Sequence, residues 1–507
     1  MNLVTDAWLP VKRESGRTDV VAPWQLTEID DPITAFNAPR PDFDAALWQF
    51  IIGLLQTCAP PADHDAWLKW LEDPPSPAEL QTKLADKYLH AFEVQSKHGS
   101  FMQDFEPLAG DNRGIAQLLI DAPGDNTLKE NKDHFVKRDS VSKLCHSCAV
   151  LALFTLQTNA PSGGAGHRVS LRGGGPLTTL VIFDDTEPPS KCRLWSDVWL
   201  NVFDSQACPE NISGKSAAHD IFPWLAKTRI SKRDELTTPM DAHVLQAYWG
   251  MPRRIRIKWD EASSERCDLC LTNTNKLVTS YETKAHGINY KGGWQHPLSP
   301  YYVKKEEQLP LHLQQGGTSY KDWLGLVADM QGQSLTAQVV SLYKDKRKLT
   351  KEQFRLYTFG YDMDNMKARC WYETKFPLFT IDNANFSTDV QNLTAAAEEC
   401  VHTLLGCIKE AWFPRAKKKP SGDTSFLKKE FYQQTQGSFY ALARRYADGK
   451  DEDNGAVWHQ TLCKVALAMF DRQAIGENFV YGDPKAIVKA RNKLAGKLNS
   501  IKKKLRA

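Results

Sequence analysis

The sequence predicts an α+β protein in two parts: a large mixed α/β N-terminal domain over residues 1–380, then a C-terminal four-helix bundle over 387–507. Three observations predict it. Short β-rich runs and helical runs alternate irregularly up to about residue 380. From about Ser387 only helical stretches follow. Two CxxC pairs, far apart in the first part, are spaced to pin distant segments together.

The elements follow in chain order. After a short strand-like start, AALWQFIIGLLQ (45–56) reads as an apolar helix. Trp8, Trp24 and Trp48 sit beside apolar neighbours and read as core. DPPSPAE (73–79) is a loop leading into a helix, with Ser76 as its N-cap. Residues 123–144 are polar, with almost no apolar periodicity, so they form a long loop of the kind that usually carries function. CAVLALFTLQTNA (148–160) reads as a buried helix running into a glycine-rich loop, APSGGAGHRVSLRGGGPLT. TTLVIF (178–183) is a strand. MPRRIRIKW (251–259) alternates Ile255 and Ile257 with Arg254, Arg256 and Lys258, as a half-exposed strand does. FRLYTFGY (354–361) and WYETKFPLF (371–379) are extended, with DMDNMKAR as the loop between them.

The helical tail comprises 390–413, 424–447, 454–472 and 484–506, separated by loops containing Pro414, Pro420, Gly422, Gly449 and Gly482. In the last stretch Ile487, Ala490, Leu494, Leu498, Ile501 and Leu505 recur at three- and four-residue steps. Four such helices with short connections suggest an antiparallel bundle.

Composition excludes some classes. The net charge of 507 residues is only +3, so any basic surface that matters is local. No apolar run reaches transmembrane length, and MNLVTDAWLPVKRE has no apolar signal-peptide core. Eleven cysteines, an odd number without a secretion signal, indicate a reducing, cytoplasmic setting. Local basic surface is expected at Arg415, Lys417, Lys418 and Lys419, and along the last helix. There Lys485, Lys489, Arg491, Lys493, Lys497, Lys502, Lys503, Lys504 and Arg506 have Asp483 as the only acid nearby in sequence. Such one-sidedness fits phosphate binding.

Cys145-His146-Ser147-Cys148 and Cys267-Asp268-Leu269-Cys270 are two CxxC knuckles. Together they complete a tetrahedral Cys₄ site for structural zinc, with His146 a bystander. Four thiolates leave no open coordination position, so the metal is assigned no catalytic role.

Catalytic motifs fail in turn. Gly214-Lys215-Ser216 resembles the end of a Walker A loop, but the position five residues before Gly214 is Pro209, which has no N–H to offer a phosphate. The run Gly163-Gly164-Ala165-Gly166 lacks the Rossmann fingerprint and follows a helix. His64-Asp65 and His219-Asp220 are HD dipeptides without further metal ligands. A metal-dependent nuclease using them is the enzyme alternative; the better expectation is no catalytic site.

Several long segments in order carry a resemblance that runs nearly end to end: NLVTDAWLPV (2–11), LFTLQTNAPSGGAGHRVSLRGGGPLTTLV (153–181), CDLCLTNTNKLVTSYETKAHGINYKGGWQHPLSPYY (267–302) and FGYDMDNMKARCWYE (359–373). With the first knuckle and the helical tail, they resemble the large subunit of type I-E CRISPR Cascade, the CasA family. The resemblance implies a non-catalytic subunit of a crRNA-guided surveillance complex. Such a subunit recognises the protospacer-adjacent motif (PAM) in target double-stranded DNA. It promotes duplex opening and recruits the helicase-nuclease for antiviral defence.

The resemblance also implies site residues. The loop that meets the PAM minor groove matches Ser162, Gly163, Gly164, Ala165 and Gly166; some family members have glycine in place of Ser162 and Ala165. The PAM-reading lysine falls in TKAH (283–286), at Lys284, with Asn289 a weaker candidate. The wedge that enters the duplex matches Asn365, Met366 and Lys367, where some relatives lead with glutamine; Met363 and Met366 are expected at its exposed tip. Phe135, Val136 and Lys137, in HFVKR (134–138), match the segment that reaches the crRNA handle and a neighbouring Cascade subunit.

Overall fold

A computed structural model describes residues 1–507 except 132–137, 165, 185–191, 233–234, 260–264, 331, 347–353, 365, 380–382, 415–422, 451, 476–482, 502–504 and 506–507. Phe135, Val136, Lys137, Ala165 and Asn365 therefore lie outside the described residues, as does the basic segment 415–419. The fold is mixed helix and sheet, ending in helices, as the sequence predicts. It comprises two compact units, Met1–Leu313 with Gly332–Glu373, and Gln314–Gln331 with Thr374–Ala507.

The first unit is organised around the helix Pro41–Cys58. Pro41 fixes the first turn, and Asp42 and Asp44 complement its N-terminal dipole. The helix is apolar on nearly every side, and almost every residue from Phe43 to Thr57 is buried. Phe50 is its hub. Trp8, Phe92, Phe101, Phe154 and Trp249 meet its ring edge-on at 5.1 to 6.1 Å, the geometry the aromatic quadrupole favours. Phe154 belongs to the buried helix His146–Asn159. Ser76 caps the helix Pro77–Ala85 by accepting from the Glu79 N–H at 3.3 Å. Among the described residues no helix is long and apolar enough to cross a membrane.

Small antiparallel sheets surround this core. Thr178–Phe183, buried at every position, pairs with Phe354–Asp364, which in turn pairs with Lys367–Leu378. A second sheet has Ser280–Lys284 between Asp111–Gly114 and Arg254–Ile257. Leu144–Cys145 pairs with Leu277–Val278.

Two expectations are corrected in this unit. The strand Arg254–Ile257 is not half-exposed. Arg254 is only 6% exposed, and its guanidinium donates to fully buried Asp104 at 2.5 Å, while Arg256 donates to the carbonyls of Asp104 and Phe105. Segment 103–105 covers the face that alternation assigns to water, and ion pairing replaces hydration. The stretch 362–370 is likewise not an open loop. The strands continue to Asp364 and resume at Lys367, with Met366 in a turn. Arg369 fastens them: its guanidinium grips Asp362 through two bonds of 2.8 and 3.0 Å and reaches Asp364 at 3.2 Å. Met363 is consequently a half-buried strand residue and does not sit at the tip.

The second unit holds the helices Phe386–Trp412, Ser425–Ala447, Asn454–Ala474 and Pro484–Ile501. Their buried rows, including Leu393, Leu404, Phe431, Trp458, Met469, Ile487, Leu494 and Leu498, face one another; each such side chain removed from water is worth about 1.5–3 kcal/mol. Gln314–Gln331, which sequence pattern assigns to the first part, belongs to this unit. Tyr320 stacks on Phe439 at 4.2 Å and its hydroxyl meets the Thr435 hydroxyl at 2.9 Å. The last helix is also less one-sided than its sequence. Arg491 forks onto Asp471 at 2.6 and 2.9 Å, and Lys493 reaches Glu410 at 2.6 Å. The fold supplies acids from neighbouring helices. Lys485, Lys489 and Lys497 are exposed and make no ion pair among the described residues.

Candidate functional site

The four knuckle cysteines converge. Their Sγ atoms lie within 4.8 Å of one another, the one group of metal-capable side chains among the described residues. Cys145 is the N-cap of the helix His146–Asn159, and its Sγ accepts from the Cys148 N–H at 3.5 Å. The Cys145 and Cys270 sulfurs are 3.6 Å apart. A tetrahedral ion with metal–sulfur bonds of about 2.3 Å requires sulfurs about 3.8 Å apart, so the cluster fits a tetrathiolate site. The pairing of Leu277 with Cys145 brings the knuckles together. Asp268 then ties the second knuckle to the segment before the first, accepting from the Ser142 N–H (2.6 Å), the Ser142 hydroxyl (3.0 Å) and the Lys143 N–H (2.9 Å). His146 stays outside the cluster, edge-on to Trp259 at 4.8 Å. Burial, then the charge of Lys276, pushes it down to about 4.

The glycine loop leaves the C-terminus of the same helix. Gly163 N–H donates to the His167 carbonyl at 2.9 Å, closing a small arc whose exposed members among the described residues are Ser162 and Gly164. Five of its glycines, at 163, 166, 173, 174 and 175, are required by close approach, and two of these meet the other candidate segments. Gly166 has φ +83°, and a Cβ there would lie 2.9 Å from the His286 ring. Gly175 has φ +59°, and a Cβ would meet Tyr361 at 2.8 Å and Met363 at 2.9 Å. Gly164 differs, since a Cβ there meets nothing within 4 Å. The basic residues of the loop are structural. Arg168 donates to the hydroxyl and carbonyl of Ser231 at 2.7 and 3.0 Å. Arg172 is buried and donates to Thr178, Ser299 and Gln49. Burial, with nearby Arg253 and Arg113, holds His167 below the ordinary histidine range.

Lys284 ends its strand beside this arc. The His286 N–H, two residues on, donates to the Gly166 carbonyl at 3.0 Å. The Lys284 side chain is exposed and has no hydrogen-bond or ionic partner among the described residues. Asn289, the weaker candidate, is only 9% exposed.

On the other side of the glycine loop stands the hairpin 354–378. Met366, in its turn, has φ +68° and is 56% exposed. A left-handed residue with a long side chain costs about 1–2 kcal/mol, and a glycine would avoid that cost. Lys367 beside it is exposed and makes no ion pair among the described residues. The glycine loop thus touches both of the other segments, through Gly166 at one end and Gly175 at the other.

The sequence pattern of the CRISPR-associated protein Cse1 family matches residues 2–469. The chain belongs to the Cse1 family. Solved structures share its fold. A CasA from Thermus thermophilus aligns with a TM-score of 0.70 at 15% identity, covering 99% of each chain. Cse1 from Acidimicrobium ferrooxidans aligns at 0.66 and 16%, covering 99% of this chain and 98% of that one. A chain from a structure described as a CRISPR RNA-guided surveillance complex aligns at 0.64 and 16%, covering 98% and 99%.

In this Cse1 family chain the HD dipeptides do local work. His64 stacks on Trp67 at 5.6 Å. Asp220 accepts from the Ala217 N–H at 3.0 Å at the start of a short helix. Neither pair joins a metal-capable group among the described residues. The supporting residues Arg253, Ser231, His286 and Met363 escape sequence reading as supports. Arg253 donates to the Pro161 carbonyl, and its backbone N–H to Gln157 at 2.9 Å, across more than ninety residues of chain. Nothing local announces such contacts.

The two kinds of glycine predict opposite outcomes. Gly164→Ala leaves the melting temperature within about 1 °C, because the methyl enters open space. Gly166→Ala, strained and driven into a ring, costs about 1–3 kcal/mol. Thermal or urea denaturation of the two variants checks this.

Proposed function

We propose that this Cse1 family chain is the large, non-catalytic subunit of a type I-E Cascade complex, which recognises the PAM in duplex DNA. In this reading it helps open the duplex beside that motif and recruits the helicase-nuclease. Its work is done in the cytoplasm, with crRNA and the other Cascade subunits as partners. One observation carries the reading. A glycine-loop arc, an exposed lysine without an ionic partner among the described residues and a strained exposed hairpin turn are tied together by direct contact through one loop.

Chemistry gives each element a task. The minor groove is narrow and presents acceptors, with a guanine amino group as its one donor. An arc whose exposed members among the described residues are Ser162 and Gly164, with Gly164 open to a partner, can bring backbone groups close to it. Lys284 supplies an ammonium donor for the acceptors. Met366 supplies an apolar wedge and Lys367 a charge for the adjoining phosphate. Asn365 is proposed as part of the wedge on sequence resemblance. Partial unstacking costs a few kcal/mol per step, which guide pairing and backbone contacts offset. The crRNA-handle contact through Phe135, Val136 and Lys137 is proposed on sequence resemblance.

We assign zinc to the cysteine cluster, because four soft thiolates at tetrahedral spacing favour it. Cys145, Cys148, Cys267 and Cys270 would hold it. The ion would contribute structure alone, joining segments that lie more than a hundred residues apart.

In the complex reconstituted with crRNA, Lys284→Ala and Gly164→Asp are expected to lower affinity for PAM-bearing duplex about tenfold, without changing the melting temperature. Gel shifts measure this, and unchanged affinity contradicts the assignment. Cys267→Ser with Cys270→Ser is expected to abolish stoichiometric zinc in elemental analysis. Because structural zinc contributes on the order of 10 kcal/mol of apparent binding energy, most of that protein should be insoluble. A soluble variant of normal thermal stability contradicts the zinc role.

A further inference from the structure

The first strand of the hairpin is held on two sides, at Tyr361 and Asp362. Tyr361 donates its hydroxyl to Asp42 of the central helix at 2.6 Å, and Asp42 is itself paired with Arg40 at 2.9 Å. Segment 311–313 lies between hairpin and loop: Leu313 bridges to Asp362, His312 bridges to Pro176, and Leu177 N–H donates to the Leu311 carbonyl at 2.8 Å. Side chains two apart on a strand share a face. Tyr361 and Met363 therefore both face the glycine loop, where they meet Gly175. Asp362 and Asp364 take the other face, where Arg369 grips both.

Tyr361 is anchored by its hydroxyl, while Met363 has only its packing. It meets the loop at Gly175, and Met366 lies three positions further along. The strand runs one residue past Met363 to Asp364, so at about 3.4 Å per residue it ends about 3 Å beyond that contact. Arg369 holds the two strands together, so the free end tilts as one body. A small tilt at Met363 becomes a larger displacement at Met366.

We propose that Met363 is a positioning residue that fixes the hairpin tip relative to the glycine loop. Reading by the loop and opening by the tip then occur at a set spacing on one duplex. Met363 itself touches no DNA; it acts through Gly175 and Met366. The proposal rests on the PAM-reading function given above.

The test uses the crRNA-loaded complex and two DNAs: a fully paired PAM duplex, and the same duplex with the base pairs beside the PAM already mismatched. A 2-aminopurine beside the PAM reports opening. Misplacing a reacting group by about 1 Å can cost about a hundredfold in rate. Met363→Ala is therefore expected to slow opening of the paired duplex about tenfold, while affinity for the mismatched duplex stays within about twofold. Met363→Leu, which refills the contact, should restore opening. Unchanged opening in Met363→Ala overturns the proposal. So does equal loss on both DNAs, which would mark Met363 as a support of the fold or of PAM binding. Lys284→Ala separates this from the underlying function. If it leaves affinity for both DNAs unchanged, the PAM reading itself fails; if it weakens both while Met363→Ala opens DNA normally, only the role of Met363 fails.

Discussion

The absence of side chains at the two ends of residues 163–175 is the constraint on which the placing of the candidate segments depends. At Gly166 the loop lies against the His286 ring, and at Gly175 against the backbone of Tyr361. A single Cβ at either point would have to displace a ring or a strand. Packed interiors resist such shifts, because neighbours cannot relax without losing contacts of their own. The loop therefore fixes the spacing between the end of the strand Ser280–Lys284 and the long hairpin. Gly164, where a Cβ would meet nothing within 4 Å, belongs to the part of the loop that such packing leaves open.

The cysteine cluster works at a different level. Helix His146–Asn159 begins at one knuckle and delivers the glycine loop from its other end. The second knuckle lies just before the strand that ends in Lys284. A metal joining Cys145 and Cys148 to Cys267 and Cys270 would fix the starting points of both. The carboxylate of Asp268, with three donors from Ser142 and Lys143, shows how closely the neighbouring chain follows that junction. Metal and loop would thus act in series, one on the roots of the two segments and the other on their tips.

What was legible in the sequence was what local pattern encodes. The two CxxC knuckles, the buried helix before the glycines, the wholly apolar strand TTLVIF and the periodic tail all announce themselves within a few residues. What was not legible depended on distant partners. Arg254 looks like a solvent-facing strand residue until Asp104, 150 positions away, closes over it. The hairpin looks like a loop from 362 to 370 because its residues are polar; Arg369 and two aspartates turn them into strand. In the last helix, pairing of Arg491 and Lys493 with Asp471 and Glu410 reduces a basic face that the sequence overstates. At the candidate site, family resemblance picked out the tips, whereas their supports became visible only in three dimensions.

If the arc, the lysine strand and the hairpin turn serve one purpose, they must meet the same few base pairs. A photo-crosslinking amino acid placed in turn at Ser162, Ala285 and Met366 of the crRNA-loaded complex measures this. All three are expected to label nucleotides of the PAM or the base pair next to it, with labelling that falls as salt rises. Labels scattered along the duplex, or confined to one of the three positions, would contradict the shared role.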